Sequence, residues 1–157
     1  MKLTLLVIGK TDAAYLQEGI NQYHKRLKHY INFTIEVIPD IKKTKNVTEA
    51  IQKQKEGNAI LNRLSAGSEI HLFDEGGKMY SSRKFAGFLD KKMVHGLKEL
   101  VLVIGGPYGF SDEVQRRAAS KISLSKMTFS HQLARLLCME QIYRAFTVLK
   151  GEPYHHD

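Results

Sequence analysis

A chain of 157 residues has the length of one ordinary domain and is long enough to bury a core of its own. Apolar residues at 43% and charged residues at 25% exclude a disordered chain, and the single cysteine, Cys138, excludes an internal disulfide and fits a reducing compartment. Lys and Arg number 24 against 16 acids, and the formal charge of +8 favours a polyanionic partner without specifying one.

Residues 3–8 form an apolar run too short to span a membrane and lacking a small-residue cleavage site. They read as a buried first strand of a soluble, cytoplasmic protein. A helix is predicted over residues 13–30, with Asp12 as a possible N-cap and Leu16, Ile20, Tyr23 and Leu27 on one stripe. Residues 33–38 alternate and stop at Pro39, giving a second strand. A polar, basic loop at 42–46 leads into a helix over 48–64 that starts at Thr48. The third strand, 69–73, is closed by the turn Asp74-Glu75-Gly76-Gly77. Ser81 or Ser82 caps a helix running to about residue 94. A strand at 100–104, a short helix at 111–120, a strand at 122–124 and a helix from about 131 to 150 complete the chain.

Strands alternating with helices predict an α/β fold, a single parallel sheet with helices on both faces, formed by residues 1–157 as one unit. The unbroken apolar character of Leu100-Val101-Leu102-Val103-Ile104 suits a central strand covered on both sides. Apolar residues of the last helix (Leu133, Leu136, Leu137, Met139, Ile142, Tyr143, Phe146, Val148, Leu149) spread around much of its circumference. One stripe would cover a sheet, so the surplus points either to a second subunit or to a helix sunk deep in the core.

Three loops follow strands at one sheet edge, where open parallel sheets bind ligands. Gly105-Gly106-Pro107-Tyr108-Gly109 lies between a strand and a helix but has the spacing of neither a dinucleotide nor a P-loop motif. It reads as a close backbone approach to a ligand or as a tight turn. Ser125-Lys126-Met127-Thr128-Phe129 offers hydroxyls, an amine and backbone groups ahead of a helix entry that Ser130 can cap. Asp74-Glu75-Gly76-Gly77-Lys78 is the third.

On the last helix, His131 and Arg135 are four apart and share a face, as do Glu140 and Arg144, which can form a surface ion pair. Cys138 reads as a buried small hydrophobe, no Cys/His metal spacing exists and no G-x-S-x-G nucleophile elbow is present. The terminal Tyr154-His155-His156 is unusual where most chains fray, and a useful tail has to be held down.

Taken together, residues 1–9, Val103-Ile104-Gly105-Gly106 with Gly109, Leu124-Ser125-Lys126-Met127-Thr128-Phe129 with His131-Gln132, Glu140-Gln141-Ile142-Tyr143-Arg144-Ala145 and Gly151-Glu152-Pro153-Tyr154-His155 resemble the ribosomal RNA large-subunit methyltransferase H family. The resemblance covers essentially the whole chain. It implies a SPOUT-type fold with a C-terminal trefoil knot, a rare exception to the rule against threaded chains. It implies transfer of a methyl group from S-adenosylmethionine to ring nitrogen 3 of a pseudouridine in large-subunit (23S) ribosomal RNA, by a homodimer acting on assembled ribosomes, with no metal. The cofactor positions it implies are Phe73, Gly105, Leu124, Ser125, Lys126, Met127, Thr128 and Phe129; a leucine is expected where Phe73 stands.

An imide nitrogen is protonated at neutral pH, so some group has to take its proton or stabilise the anion. The candidates are His131, Arg135, Tyr154 and His155. Arg135 would stabilise negative charge, Tyr154 would stack on or orient the base, and His131 or His155 would accept the proton. The stretch 23–30, which mixes cations with aromatics, and Arg116-Arg117 are candidates for gripping RNA, with a solvated helix face the plain reading of the former. The rival expectations are a non-catalytic ribosome-binding module that keeps the fold and a nucleotide-dependent oxidoreductase, which the missing G-x-G-x-x-G disfavours.

Overall fold

The computed structural model describes residues 1–41 and 45–156, so residues 42–44 of the basic loop read at 42–46 lie outside the described residues. Strands and helices alternate along the chain as β1 (Lys2–Ile8), α1 (Ala14–Leu27), β2 (Asn32–Ile38), α2 (Glu49–Arg63), β3 (Ser68–Met79), α3 (Ser82–Val94), β4 (Glu99–Ile104), α4 (Asp112–Arg117), β5 (Ser120–Ser123) and α5 (His131–Lys150). The sheet order is β2-β1-β4-β3-β5 and every neighbouring pair is parallel.

Alternation along the strands feeds two cores. Leu3, Leu5, Leu100 and Leu102 face α1, α3 and α5, where they meet Ile20, Leu89, Met139 and Ile142. Leu6, Ile8, Leu72 and Val103 face the other way, onto Ile60 of α2 and Val114 of α4. β4 has neighbours on both edges and helices on both faces, which is why its last five residues are all buried. Among the described residues no helix is long and apolar enough to cross a membrane.

Hydroxyl caps start four of the helices: the side chains of Thr48, Ser81, Ser111 and Ser130 accept from the backbone N–H of Ile51, Lys84, Val114 and Leu133. α1 differs from expectation. Its N-cap is Ala13, with no side-chain bond, and it stops at Leu27 rather than near residue 30. Asp12 is turned to another use, its backbone N–H donating to Gln132 Oε1 at 3.0 Å. α4 is also shorter than read, because Ala118 is already extended and Ser120 starts β5.

The larger correction concerns Asp74-Glu75-Gly76-Gly77. These residues do not end β3, which continues to Met79. They form an excursion within it, since Phe73 and Lys78 both stand opposite Ile122 of β5. Asp74 Oδ1 accepts from the Gly76 N–H at 2.9 Å to make the local turn. A Cβ at Gly77 would lie 2.6 Å from the backbone N of Ile122, so the strand can return beside β5 only with glycine there.

Candidate functional site

The excursion within β3, the carboxyl ends of β4 and β5 and the start of α5 surround a cavity of about 570 Å³. Its walls are Phe73 of β3 with Asp74 and Glu75 of its excursion, Ile104 at the end of β4 with residues 105–110 after it, and Leu124, Ser125 and residues 127–131 after β5, with Ala134 behind. A parallel sheet puts free backbone groups at this edge, because β4 and β5 stop there, the helices have not begun and β3 leaves its ladder for the excursion.

Hydrogen bonds tie the loops together. The Ser123 hydroxyl donates to the Ser125 carbonyl at 2.8 Å, and the Met127 N–H donates to Ser125 Oγ at 2.9 Å. Thr128 Oγ1 donates to Glu75 Oε2 at 2.9 Å, joining the loop after β5 to the β3 excursion. The Gly109 N–H closes onto the Gly106 carbonyl at 3.2 Å. Both glycines after β4 are pressed from behind: a Cβ at Gly105 would stand 3.0 Å from the Phe110 ring, and one at Gly106 2.5 Å from Glu56 Oε2. The cavity wall there is therefore bare main chain.

Seven of the eight positions expected to hold a cofactor line this one cavity: Phe73, Gly105, Leu124, Ser125, Met127, Thr128 and Phe129. Lys126 does not. Met127 and Phe129, at 76% and 37% exposure, leave apolar surface at the mouth.

The four catalytic candidates separate. His131 lines the cavity at the first turn of α5. Burial and then the Arg135 charge hold its pKa below the ordinary 6.5, with Asp40, Asp12 and Glu56 pulling the other way. Arg135 is not on the wall. It is 1% exposed, with Nη1 donating to the Gly9 carbonyl at 2.9 Å and to Thr11 Oγ1 at 3.1 Å, and Nη2 to the Ile8 carbonyl at 2.5 Å. Sharing a helix face with His131 did not bring it into the cavity, because the long side chain reaches across to the end of β1 and is consumed by its carbonyls.

Tyr154 and His155 lie at the other end of α5. From residue 131 to residue 144 the helix rises by about 20 Å. There Tyr154 packs edge-on against Tyr143, ring centroids 4.8 Å apart, beneath the Arg144 guanidinium at 4.7 Å. Its hydroxyl lies 3.3 Å from the Tyr23 hydroxyl and donates to Glu140 Oε1 at 3.3 Å. Burial and the Tyr23 hydrogen bond raise its pKa well above the usual phenol value. Arg144 Nε binds Glu140 Oε1 at 2.9 Å while Nη1 meets His155 Nδ1 at 3.2 Å. The pair read as a surface ion pair is thus the anchor of the tail. Tyr30 adds a bond to Glu152 Oε2 at 2.5 Å. Sequence reasoning missed Glu56 and, although it quoted Gln132 as part of a motif, gave that residue no role; its Nε2 donates to the Lys10 carbonyl at 3.0 Å.

A parallel α/β sheet with a three-loop cavity at its carboxyl edge and a long final helix places the chain in a known class. The family model described as predicted SPOUT methyltransferase matches residues 1–155, and the chain belongs to that family. Among its relatives are proteins named ribosomal RNA large subunit methyltransferase H. That of Parabacteroides distasonis is 59% identical over 157 residues, all of both chains. Those of Christiangramia forsetii and Porphyromonas gingivalis are 57% identical over 99% of both chains and 50% identical over 100% of both.

Proposed function

We propose that this protein methylates ring nitrogen 3 of a pseudouridine in large-subunit (23S) ribosomal RNA, with S-adenosylmethionine as donor, acting as a homodimer on assembled ribosomes in the cytoplasm. The observation that carries the reading is the cavity built by two strand-end loops and the β3 excursion in a chain 59% identical, end to end, to a protein named for large-subunit rRNA methylation. Residues 1–157 act as one SPOUT unit in this reading, with the final helix drawn through the preceding loops as a trefoil knot.

The cavity suits the cofactor. Phe73, Leu124 and Phe129 give apolar faces for an adenine, and the main chain at Gly105, Ser125, Met127 and Thr128 offers donors and acceptors. A buried carboxylate oxygen with no partner among the described residues, Glu56 Oε2, lies against Gly106 on the cavity wall, which suits a cationic ligand. When bound, the cofactor supplies an activated methyl on a sulfonium. The chain's own work is to hold the base in line and manage one proton, and positioning accounts for a large share of such rate gains. His131, kept neutral at pH 7, takes the imide proton. Arg135 acts behind it as a positioning residue that fixes the entry of α5.

Tyr154 and His155 are delivered by a second copy. Their own cavity is about 20 Å away along α5, and they are held at that distance by Tyr143, Tyr23 and Arg144. Leu133 and Leu137, half-buried and outside both cores, give α5 the spare apolar stripe that a partner would cover. RNA is gripped by cations such as Arg26, which stacks over Tyr23 and Tyr143 at 5.9 and 5.5 Å.

The test is methyl transfer from labelled S-adenosylmethionine to whole ribosomes, isolated large subunits and naked RNA, with the product nucleoside identified by mass. Methyl pseudouridine from the ribosome supports the proposal. A folded dimer that binds no S-adenosylmethionine by calorimetry would favour a ribosome-binding module instead.

A further inference from the structure

Glu56 occupies an unusual place for an acid. It is 2% exposed on α2, whose neighbouring residues Lys53, Gln54 and Lys55 have the polarity of a solvated helix. Oε1 accepts from Gln52 Nε2 at 2.9 Å, and Oε2 has no partner among the described residues. Among the described residues no Lys, Arg or His forms an ion pair with it. Burying an unpaired carboxylate is costly, and such groups in native proteins call for an explanation. Its position supplies one. The carboxylate presses on Gly106, where a Cβ would stand 2.5 Å from Oε2 and 2.8 Å from Oε1. Gly106 lines the cavity and Glu56 does not, so the charge sits behind a loop residue that itself carries no side chain. Its field extends to the cavity wall, because Glu56 is one of the carboxylates that favour the protonated form of His131.

We propose that Glu56 is a specificity-determining residue whose carboxylate, held behind the glycine loop, makes the cavity prefer the cationic methyl donor to its neutral-sulfur product, S-adenosylhomocysteine. The inference rests on the reading of this cavity as an S-adenosylmethionine site. Both ligands carry the same amino-acid and adenosine parts, and they differ by the methyl and by one positive charge. A buried charge acting through protein is little screened by salt, so its effect falls on that one difference and favours product release after transfer. The discrimination expected from such a charge is on the order of tenfold.

Calorimetry on the full-length protein with S-adenosylmethionine, S-adenosylhomocysteine and a cationic analogue bearing an amine in place of the sulfonium tests this. The wild type is expected to bind both cations more tightly than the neutral product, with a ratio that persists at high salt. Glu56→Gln keeps the size and removes the charge. It is expected to weaken both cations on the order of tenfold while leaving S-adenosylhomocysteine within about twofold. Glu56→Asp keeps the charge and is expected to keep the preference even if overall affinity falls. Equal weakening of all three ligands by Glu56→Gln would mark a mere support of the loop and overturn the proposal, as would an unchanged ratio. Should circular dichroism show Glu56→Gln unfolded, the wild-type and Glu56→Asp ratios decide: a cavity with no preference for the cations refutes the idea. A wild type that binds none of the three overturns the cofactor reading itself, which is a different result.

Discussion

Arg135 of α5 donates to the carbonyl of Ile8 at 2.5 Å, joining the final helix to the end of the first strand across 127 positions of sequence. The same guanidinium holds Gly9 and Thr11. The turn after β1 and the entry of the helix that carries His131 are thus one mechanical unit.

Replacing Arg135 with Met keeps the bulk and strands two buried carbonyls. The expected loss is about 3 kcal/mol of unfolding free energy, read as a lower midpoint in urea. Lysine at this position reaches one carbonyl and recovers only part of it. Stability close to wild type in Arg135→Met would show that the clamp is redundant.

The tail prediction separates binding from chemistry. Truncation after Gly151 removes Tyr154 and His155 but no residue of the cavity wall. S-adenosylmethionine affinity is expected to survive and methylation to disappear. Mixing the truncated chain with a full-length His131→Ala chain creates heterodimers in which an intact cavity meets an intact tail. If the tail acts across the dimer, an equal mixture recovers about one quarter of wild-type activity, because half the dimers are mixed and each has one complete site. No recovery on mixing would assign each tail to its own cavity.

Much of this architecture was legible in advance, for local reasons. Thr48, Ser81, Ser111 and Ser130 stand just ahead of their helices and can satisfy free N–H groups wherever the helix ends up. The run 100–104 announces a covered strand by composition alone. What escaped depended on partners distant in sequence. Asp74-Glu75-Gly76-Gly77 has the composition of a strand-ending turn, and only pairing with Ile122 on both sides of it reveals that β3 resumes. Glu56 sits among lysines and glutamines and looks solvated until Gly106 is seen to cover it. Helical spacing put His131 and Arg135 on one face, but strand order decided that Arg135 would meet the end of β1. The tail was expected to be held down, but its composition did not say by what, and the anchor is an aromatic cluster with Tyr143 and Tyr23.

A third prediction concerns the pH dependence of catalysis. His131 is held below 6.5 by burial first and the Arg135 charge second. A base acts only when unprotonated, so activity is expected to be insensitive to this group at neutral pH and to fall on an acid limb centred below 6.5. The measurement is kcat/KM against pH for wild type and His131→Gln. The variant is expected to lose most activity and the acid limb together. An unchanged limb in His131→Gln would transfer the proton-accepting role elsewhere.

The last prediction is a stability profile set by His71. This side chain is 2% exposed on β3, with Nδ1 2.7 Å from Ser120 Oγ and Nε2 2.6 Å from Glu69 Oε1, and Phe88 packed edge-on. Burial lowers its pKa from 6.5, with Lys92 adding to that, and it outweighs the hydrogen bond and charge of Glu69. Glu69 itself is raised by burial but is held low on balance by Lys92 and His71. The folded histidine therefore binds a proton less readily than the unfolded one. Between its lowered folded pKa and 6.5 the unfolded chain carries more protons, so stability rises with pH across that interval. The contribution is complete above 6.5 and fades as pH falls below it. Chemical denaturation at a series of pH values should show this decline in the wild type. His71→Gln should be less stable at neutral pH, having lost a fitted ring beside Phe88, yet show a flatter acid slope. A parallel slope in the variant would place the titration elsewhere, with the Glu69–Lys92 pair the next group to substitute.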